Sequence, residues 1–293
     1  MDDKPGVVTR RDFVRATTGA AVGVSIFGVS WAQHAGRTPR QARVVLVRDQ
    51  NVLDAAHQVD PGVLKRMLDE TLTRVTGQSK VNDAWRSLVR PEDAVGMVPT
   101  DHLNPTHREV VAAVRGALVD AGIPDGRITL AQGGPKKAEA CTALISLPAL
   151  KAHWLTGLGT VLKNYITYSG HPSQYHDENN DRLGEIWLLP QVKGKTRLVL
   201  VDALRPLCDK GPQPDPRYMW HYGGLIAGTD PVAVEAVCLK ILTAKREALK
   251  GEPWPLSPPP LCVAMADTRY GLGTSTLEEI TIERAGWSDG ALV

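Results

Sequence analysis

The run RLVLVD at residues 197–202 narrows the fold more than any other stretch of the chain. Its apolar residues do not alternate with polar ones, as they would in a strand with one wet face, so both faces are expected to be covered. A strand covered on both sides belongs in a sheet flanked by helices. Further short β-branched or apolar runs recur at 43–48 (RVVLVR), 94–98 (AVGMV), 127–131 (RITLA) and 143–147 (ALISL), and each reads as a strand. Between them lie segments of helical spacing. Val63, Leu64, Met67, Leu68 and Leu72 mark one over 61–75, alanine and valine mark one side of 106–121, and 231–242 is amphipathic. Later runs at 261–266 and 279–283 also read as strands. Strands alternating with helices pair in parallel through right-handed crossovers. The expected fold is α/β, a three-layer sandwich with a doubly wound or mixed, mainly parallel sheet. It forms a single domain over residues 43–290. The prolines at 258–260 read as a surface connector within it.

Hydrophobic residues make up 43% of the 293 and charged residues 23%, so the chain has the apolar content of a packed core. Its formal charge is +2, with no basic block and no aromatic–basic stripe, so no nucleic-acid partner is expected. The four cysteines, Cys141, Cys208, Cys238 and Cys262, are far apart and form no C-x-x-C pair. A zinc ribbon or an iron–sulfur cluster needs closely spaced thiolates, so neither is expected in this chain. Cys238 reads as a small core residue, and the pairing of any disulfide stays open.

At the N-terminus, Thr9-Arg10-Arg11-Asp12-Phe13-Val14-Arg15 resembles the twin-arginine export motif. An apolar run at 16–31 follows, then Ser30-Trp31-Ala32 with small residues where a signal peptidase reads. The run is too short and too rich in glycine for a membrane span. Residues 1–32 are therefore expected to be a signal peptide and 33–42 a flexible leader. The resemblance implies the twin-arginine translocase as a partner and a periplasmic or otherwise exported mature protein. That route carries folded proteins, many of them loaded with a cofactor.

Four stretches carry candidate chemistry. Asp101-His102-Leu103-Asn104-Pro105-Thr106-His107 lies where a strand ends and a helix begins, with Asn104 as N-cap and Pro105 in the first turn. Asp101 and His102 then stand at a strand's carboxyl end, where open α/β sheets bind ligands. Gln132-Gly133-Gly134-Pro135-Lys136-Lys137 reads as a turn, and Gly133 and Gly134 could admit an anion to the backbone amides. The third stretch runs from Lys151-Ala152-His153 through Gly157 and Gly159 to Lys163-Asn164. Glycines beside a histidine permit close backbone approach. A lysine in apolar company loses solvation, which makes it a nucleophile or a covalent anchor. The fourth, His171 to His176-Asp177-Glu178, offers imidazoles and carboxylates to a divalent transition metal, without the H-E-x-x-H pattern. Elsewhere, Asp230-Pro231 reads as a helix start, and Asp202 after RLVLV as a supporting carboxylate at the same sheet edge.

The stretches ALISLPALKAHWLTGLGTVLKN, VLVDAL, GLIAGTDPVAVEAVCLKIL, ADTRYGLG and LEEITIE resemble, in order, the family catalogued as domain of unknown function 362. The resemblance spans most of residues 43–285 and implies no settled activity. Some members carry a cysteine-rich ferredoxin segment, absent here. Many have an I-K-P-N-like stretch where this chain has Met97-Val98-Pro99-Thr100, so that lysine's anion contact is missing. More distantly, Asp101-His102, His153, Lys163 and either His171 or His176 follow the order seen in nickel-pincer lactate racemases. That likeness implies a lysine that anchors a cofactor and a later histidine that binds nickel. Pro135 stands where those enzymes have their second acid/base histidine, so a single acid/base is implied.

Two functions follow as expectations. In the first, the chain is an exported, metal- or cofactor-dependent enzyme on a small polar molecule. His153 is then the acid/base, Lys163 an anchor or electrophile, Asp101, His102, Gly133, Gly134, Gly157, Gly159 and Asn164 contact the cofactor, and His171 or His176 binds metal. In the second, it is a non-catalytic periplasmic protein that binds a ligand or escorts a partner enzyme.

Overall fold

The computed structural model describes residues 41–293, apart from the side chains of residues 177–179. The signal segment 1–32 and the leader up to residue 40 lie outside the described residues. The elements run in chain order as β1 (Ala42–Arg48), α1 (Pro61–Thr76), α2 (Val81–Leu88), β2 (Val95–Pro99), α3 (Arg108–Asp120) and β3 (Ile128–Leu130). There follow α4 (Pro135–Glu139), β4 (Ala143–Leu147), β5 (Ala149–His153), β6 (Gly157–Leu158), α5 (Leu183–Trp187) and β7 (Thr196–Leu207). The chain closes with β8 (Gly224–Gly228), α6 (Pro231–Lys250), α7 (Leu261–Thr268) and β9 (Ile280–Gly286).

The sheet order is β3-β2-β4-β7-β8-β1-β9. β3, β2, β4 and β7 are mutually parallel, β8 runs against both of its neighbours, and β1 pairs in parallel with β9. The sheet is thus mixed and mainly parallel, as the sequence implies. β7 is long because it serves two partners: its first half pairs β4, and its second half pairs β5 beyond the break at Pro148. Both faces of the sheet are covered. Val45, Val47, Leu198, Leu200, Leu225 and Ala227 enter one apolar core with Leu64, Leu68, Trp85, Val114 and Leu118 of α1 to α3. The residues of opposite parity, Val44, Leu46, Val199, Val201 and Ile226, are equally buried, and α6 packs against β8 and β1. Alternate side chains of a strand point to opposite faces, so this parity makes the three layers.

The long helices are capped as their sequences demand. Asp60 accepts from the N–H groups of Gly62 and Val63 at the start of α1, and Asp230 from those of Val232 and Ala233 at the start of α6. Each is followed by proline in the first turn and closed by a left-handed glycine, Gly77 or Gly251.

Two local expectations are corrected. Residues 261–266 are helical, within α7, and not a strand. Its buried residues Cys262, Val263, Ala266 and Asp267 follow helical spacing, and a short apolar run does not itself choose between the two periods. Asn104 is not an N-cap either: it sits at φ 65, Leu103 at φ 50, and α3 begins only at Arg108. None of the described helices is long and apolar enough to cross a membrane.

Candidate functional site

The loops after β2, β3 and β4 leave the sheet on one edge, because those strands are parallel. Asp101, Gln132 and Pro148 follow these ends directly. Asp202 reaches the same level on β7, paired with Ala149 and donating its N–H to the carbonyl of Pro148 at 2.8 Å. All four residues share the carboxyl edge.

β5 continues beyond that edge and carries Lys151 and His153. They are two residues apart on a strand, hence on one face. Both are buried, at 5% and 7% exposure. The chain then reverses into β6, which pairs antiparallel with β5 through Ala152 with Leu158 and His153 with Gly157. A turn over 160–165 brings Lys163 back to the same place. Three side chains hold that turn. Glu235, fully buried on α6, accepts from the N–H of Val161 at 2.9 Å and of Leu162 at 3.0 Å. Asn164 donates to the carbonyl of Val98 at 2.7 Å and the hydroxyl of Ser146 at 2.9 Å, so it bridges β2 and β4. Trp187 donates its indole N–H to the carbonyl of Leu162.

Four basic side chains lie near enough to feel one another's charge. Burial pushes the Lys151 amine down to about 7, the charge of Lys163 adding to the effect and Asp101 opposing it. Burial likewise pushes Lys163 down to about 8. His153 falls to about 3, through burial first and then the charges of Lys163, His176 and Lys151. His176 is lowered by burial and by Lys163. Its ring lies 5.6 Å from that of His153, centroid to centroid. Lys151, His153, Lys163 and His176 therefore form one cluster of basic groups.

The two imidazoles are held in opposite tautomers. The backbone N–H of Leu155 donates to Nδ1 of His153 at 3.1 Å, so the proton of the neutral ring is on Nε2. In His176 it is Nδ1 that donates, to the carbonyl of Pro172 at 2.9 Å, which leaves a lone pair on Nε2. One ring offers a donor and the other an acceptor.

The remaining candidates are placed differently. His171 is exposed on the 3-10 turn before His176 and joins none of these contacts. Asp101 and His102 pair with each other on an exposed loop, and Asp101 meets the cluster only through its field on Lys151. Gly133 and Gly134 flank the start of the short helix α4, with no atom crowding them. Gly157, at φ 73, lies against the loop at Pro258, whose carbonyl oxygen would be 2.3 Å from an added Cβ. Gly159 lies against the His153 side chain, whose Cβ would be 3.1 Å away. The close approach at these two glycines is to the protein's own atoms. Among the described residues no group of three or more histidine, cysteine, aspartate and glutamate side chains could hold a metal ion. The four cysteines are all buried and free.

Lys151 and Glu235 were not singled out by the sequence. The signal for Lys151 is its two-residue offset from His153. For Glu235 it is a lone charge inside the apolar helix VAVEAVCLKIL. A third feature involves His107. Its backbone N–H and its Nδ1 both donate to Asp202, the carboxylate at the end of RLVLVD, each at 2.7 Å. His107 borders an open cleft of about 760 Å³. The cleft shares the loop 100–107 with the cluster, since Lys151 donates to the carbonyls of Leu103 and Asn104 at 2.7 and 3.2 Å. His153 and Lys163 are not among its walls.

Residues 121–240 match the family model described as Domain of unknown function (DUF362). This matched segment includes Lys151, His153, Lys163, His176 and Glu235. No curated protein and no solved structure matches the chain.

Proposed function

We propose that the chain is an enzyme acting on a small polar molecule that presents a carbonyl group to the cluster of His153, Lys163 and His176. The opposite tautomers of the two imidazoles carry this reading. His153, fixed with its proton on Nε2 and neutral far below physiological pH, donates a hydrogen bond to the carbonyl oxygen as charge develops there. His176, with its Nε2 lone pair free, is the proton acceptor. These roles exchange part of what the sequence assigned, because an imidazole with a value of about 3 is a poor base. Lys163 is the amine that captures the carbonyl. With its value at about 8, roughly a quarter of it is unprotonated at pH 7.5. The carbinolamine first formed loses water to become an imine: His153 hydrogen-bonds the departing oxygen, and His176 takes the nitrogen's proton and returns it to the hydroxyl, which leaves as water.

A metal held by protein side chains alone does not fit the cluster, where only Nε2 of His176 offers a free imidazole lone pair, so no step is assigned to one. Export by the twin-arginine route belongs to the same proposal and rests on Thr9 to Arg15.

The test is reductive trapping. Protein incubated with a 2-oxo acid and cyanoborohydride is expected to gain the mass of one substrate less one oxygen, on Lys163, at pH 7.5. Lys163→Arg should gain none there, and His176→Ala should gain it at least about tenfold more slowly. Labelling spread over surface lysines, with Lys163 unmodified, would refute the assignment.

A further inference from the structure

We propose that the cleft beside His107 is a second ligand site, which takes a small molecule with an anionic head and an apolar body. It does not rest on the reading of the histidine–lysine cluster. Its volume of about 760 Å³ lies in the range of small-molecule sites.

The polar end is built from groups whose hydrogen bonds are only partly used. Asp202 is buried and uses both oxygens: Oδ2 accepts twice from His107, and Oδ1 accepts from the N–H of Leu204 at 3.0 Å. This fixes the His107 ring and leaves its Nε2 without a protein partner among the described residues. Burial alone would lower the imidazole's value, but the charge and hydrogen bond of Asp202, with the charge of Glu109, together raise it above its ordinary value, which favours the form that donates from Nε2. Arg205, three residues along β7, lines the same cleft. It is half-buried, yet it makes no hydrogen bond or ion pair among the described residues. An arginine normally engages its five donors when water is withdrawn. The carboxylates on the walls are already committed, Asp101 to His102 and Glu109 to Arg108. Together His107 and Arg205 present donors matched to a carboxylate or a phosphate.

The apolar body has its own surface. Leu130 and Met219 line the cleft, and Leu130 is 46% exposed at the end of β3. Gln132 also lines it, with its amide oxygen buried and without a partner among the described residues. A ligand that carries an N–H or O–H beside its head would satisfy that oxygen.

The test titrates the full chain with hexanoate, hexyl phosphate and inorganic phosphate, with hexylammonium as the cationic control, using calorimetry. Hexanoate or hexyl phosphate should bind, more tightly than inorganic phosphate, and hexylammonium should not. The tighter of the two identifies the head group. Arg205→Gln should weaken binding about tenfold or more, and so should Leu130→Glu, an exposed substitution that leaves the fold intact. Lys163→Ala should leave it unchanged. Equal binding of hexylammonium, unchanged affinity in both Arg205→Gln and Leu130→Glu, or loss of binding in Lys163→Ala would each overturn the proposal.

Discussion

Replacing Glu235 by glutamine should remove a specific pH dependence from the stability of the protein. Glu235 is fully buried, and burial lifts its carboxyl from 4.5 to about 7, against the pull of two backbone N–H groups. Between those values the folded protein holds a proton that the unfolded chain has released. Stability must then fall as pH rises, by about 1.4 kcal/mol for each pH step. The contribution is fully present below pH 4.5 and lost as pH climbs through about 7, roughly 3 kcal/mol in all. Glutamine has nearly the same shape and does not titrate. It keeps one acceptor for the N–H groups of Val161 and Leu162 and sets an amide nitrogen against the other, a cost of about 1–3 kcal/mol that is the same at every pH. Urea unfolding of wild type and Glu235→Gln from pH 4.5 to 8 measures the effect. Other groups in the cluster, such as His153, titrate in both proteins and cancel in the difference. The difference curve should therefore shift by about 3 kcal/mol in favour of the variant as pH rises. A flat difference curve would show that Glu235 is ionised throughout and that its burial has no titration consequence.

Two further outcomes are expected. Gly157→Ala places a Cβ at φ 73 within 2.3 Å of a backbone oxygen, so it should cost about 3 kcal/mol or more. That lowers the melting temperature by roughly 6–12 °C, and an unchanged melting temperature would contradict the packing of Gly157 on the Pro258 loop. Replacing both Arg10 and Arg11 by lysine should hold the protein in the cytoplasm, and undiminished yield in the periplasmic fraction would dismiss the export proposal.

The sheet was legible because its central strands are continuous apolar runs, and the long helices because Asp60-Pro61 and Asp230-Pro231 announce their starts. Strand β8 was not: its sequence GLIAG is short and bounded by glycine, and only the tertiary pairing with β7 and β1 makes it a strand. β5 was hidden by Pro148, which ends β4 without ending the pairing to β7. In the site, the histidines and Lys163 could be picked out by residue type. Their arrangement could not, since it depends on which backbone group each ring meets: Leu155 N–H for His153 and the Pro172 carbonyl for His176. The same holds for His107, whose partner Asp202 is 95 residues away in sequence.

The placing of β1 between β8 and β9 sets the order in which the protein can fold. β1 occupies residues 42–48, but its neighbours are residues 224–228 and 280–286. At ordinary rates of synthesis, about 5–20 residues per second, the second of these partners follows β1 by roughly 10–50 seconds. Strands β2, β3 and β4, by contrast, emerge together within residues 95–147 and can pair at once. Until β8 emerges RVVLVR is an apolar strand with both edges unpaired, and until β9 emerges one edge stays open, the kind of segment that recruits other chains. A growing chain of this protein therefore has most need of a chaperone at its first strand, and the need ends when β9 arrives.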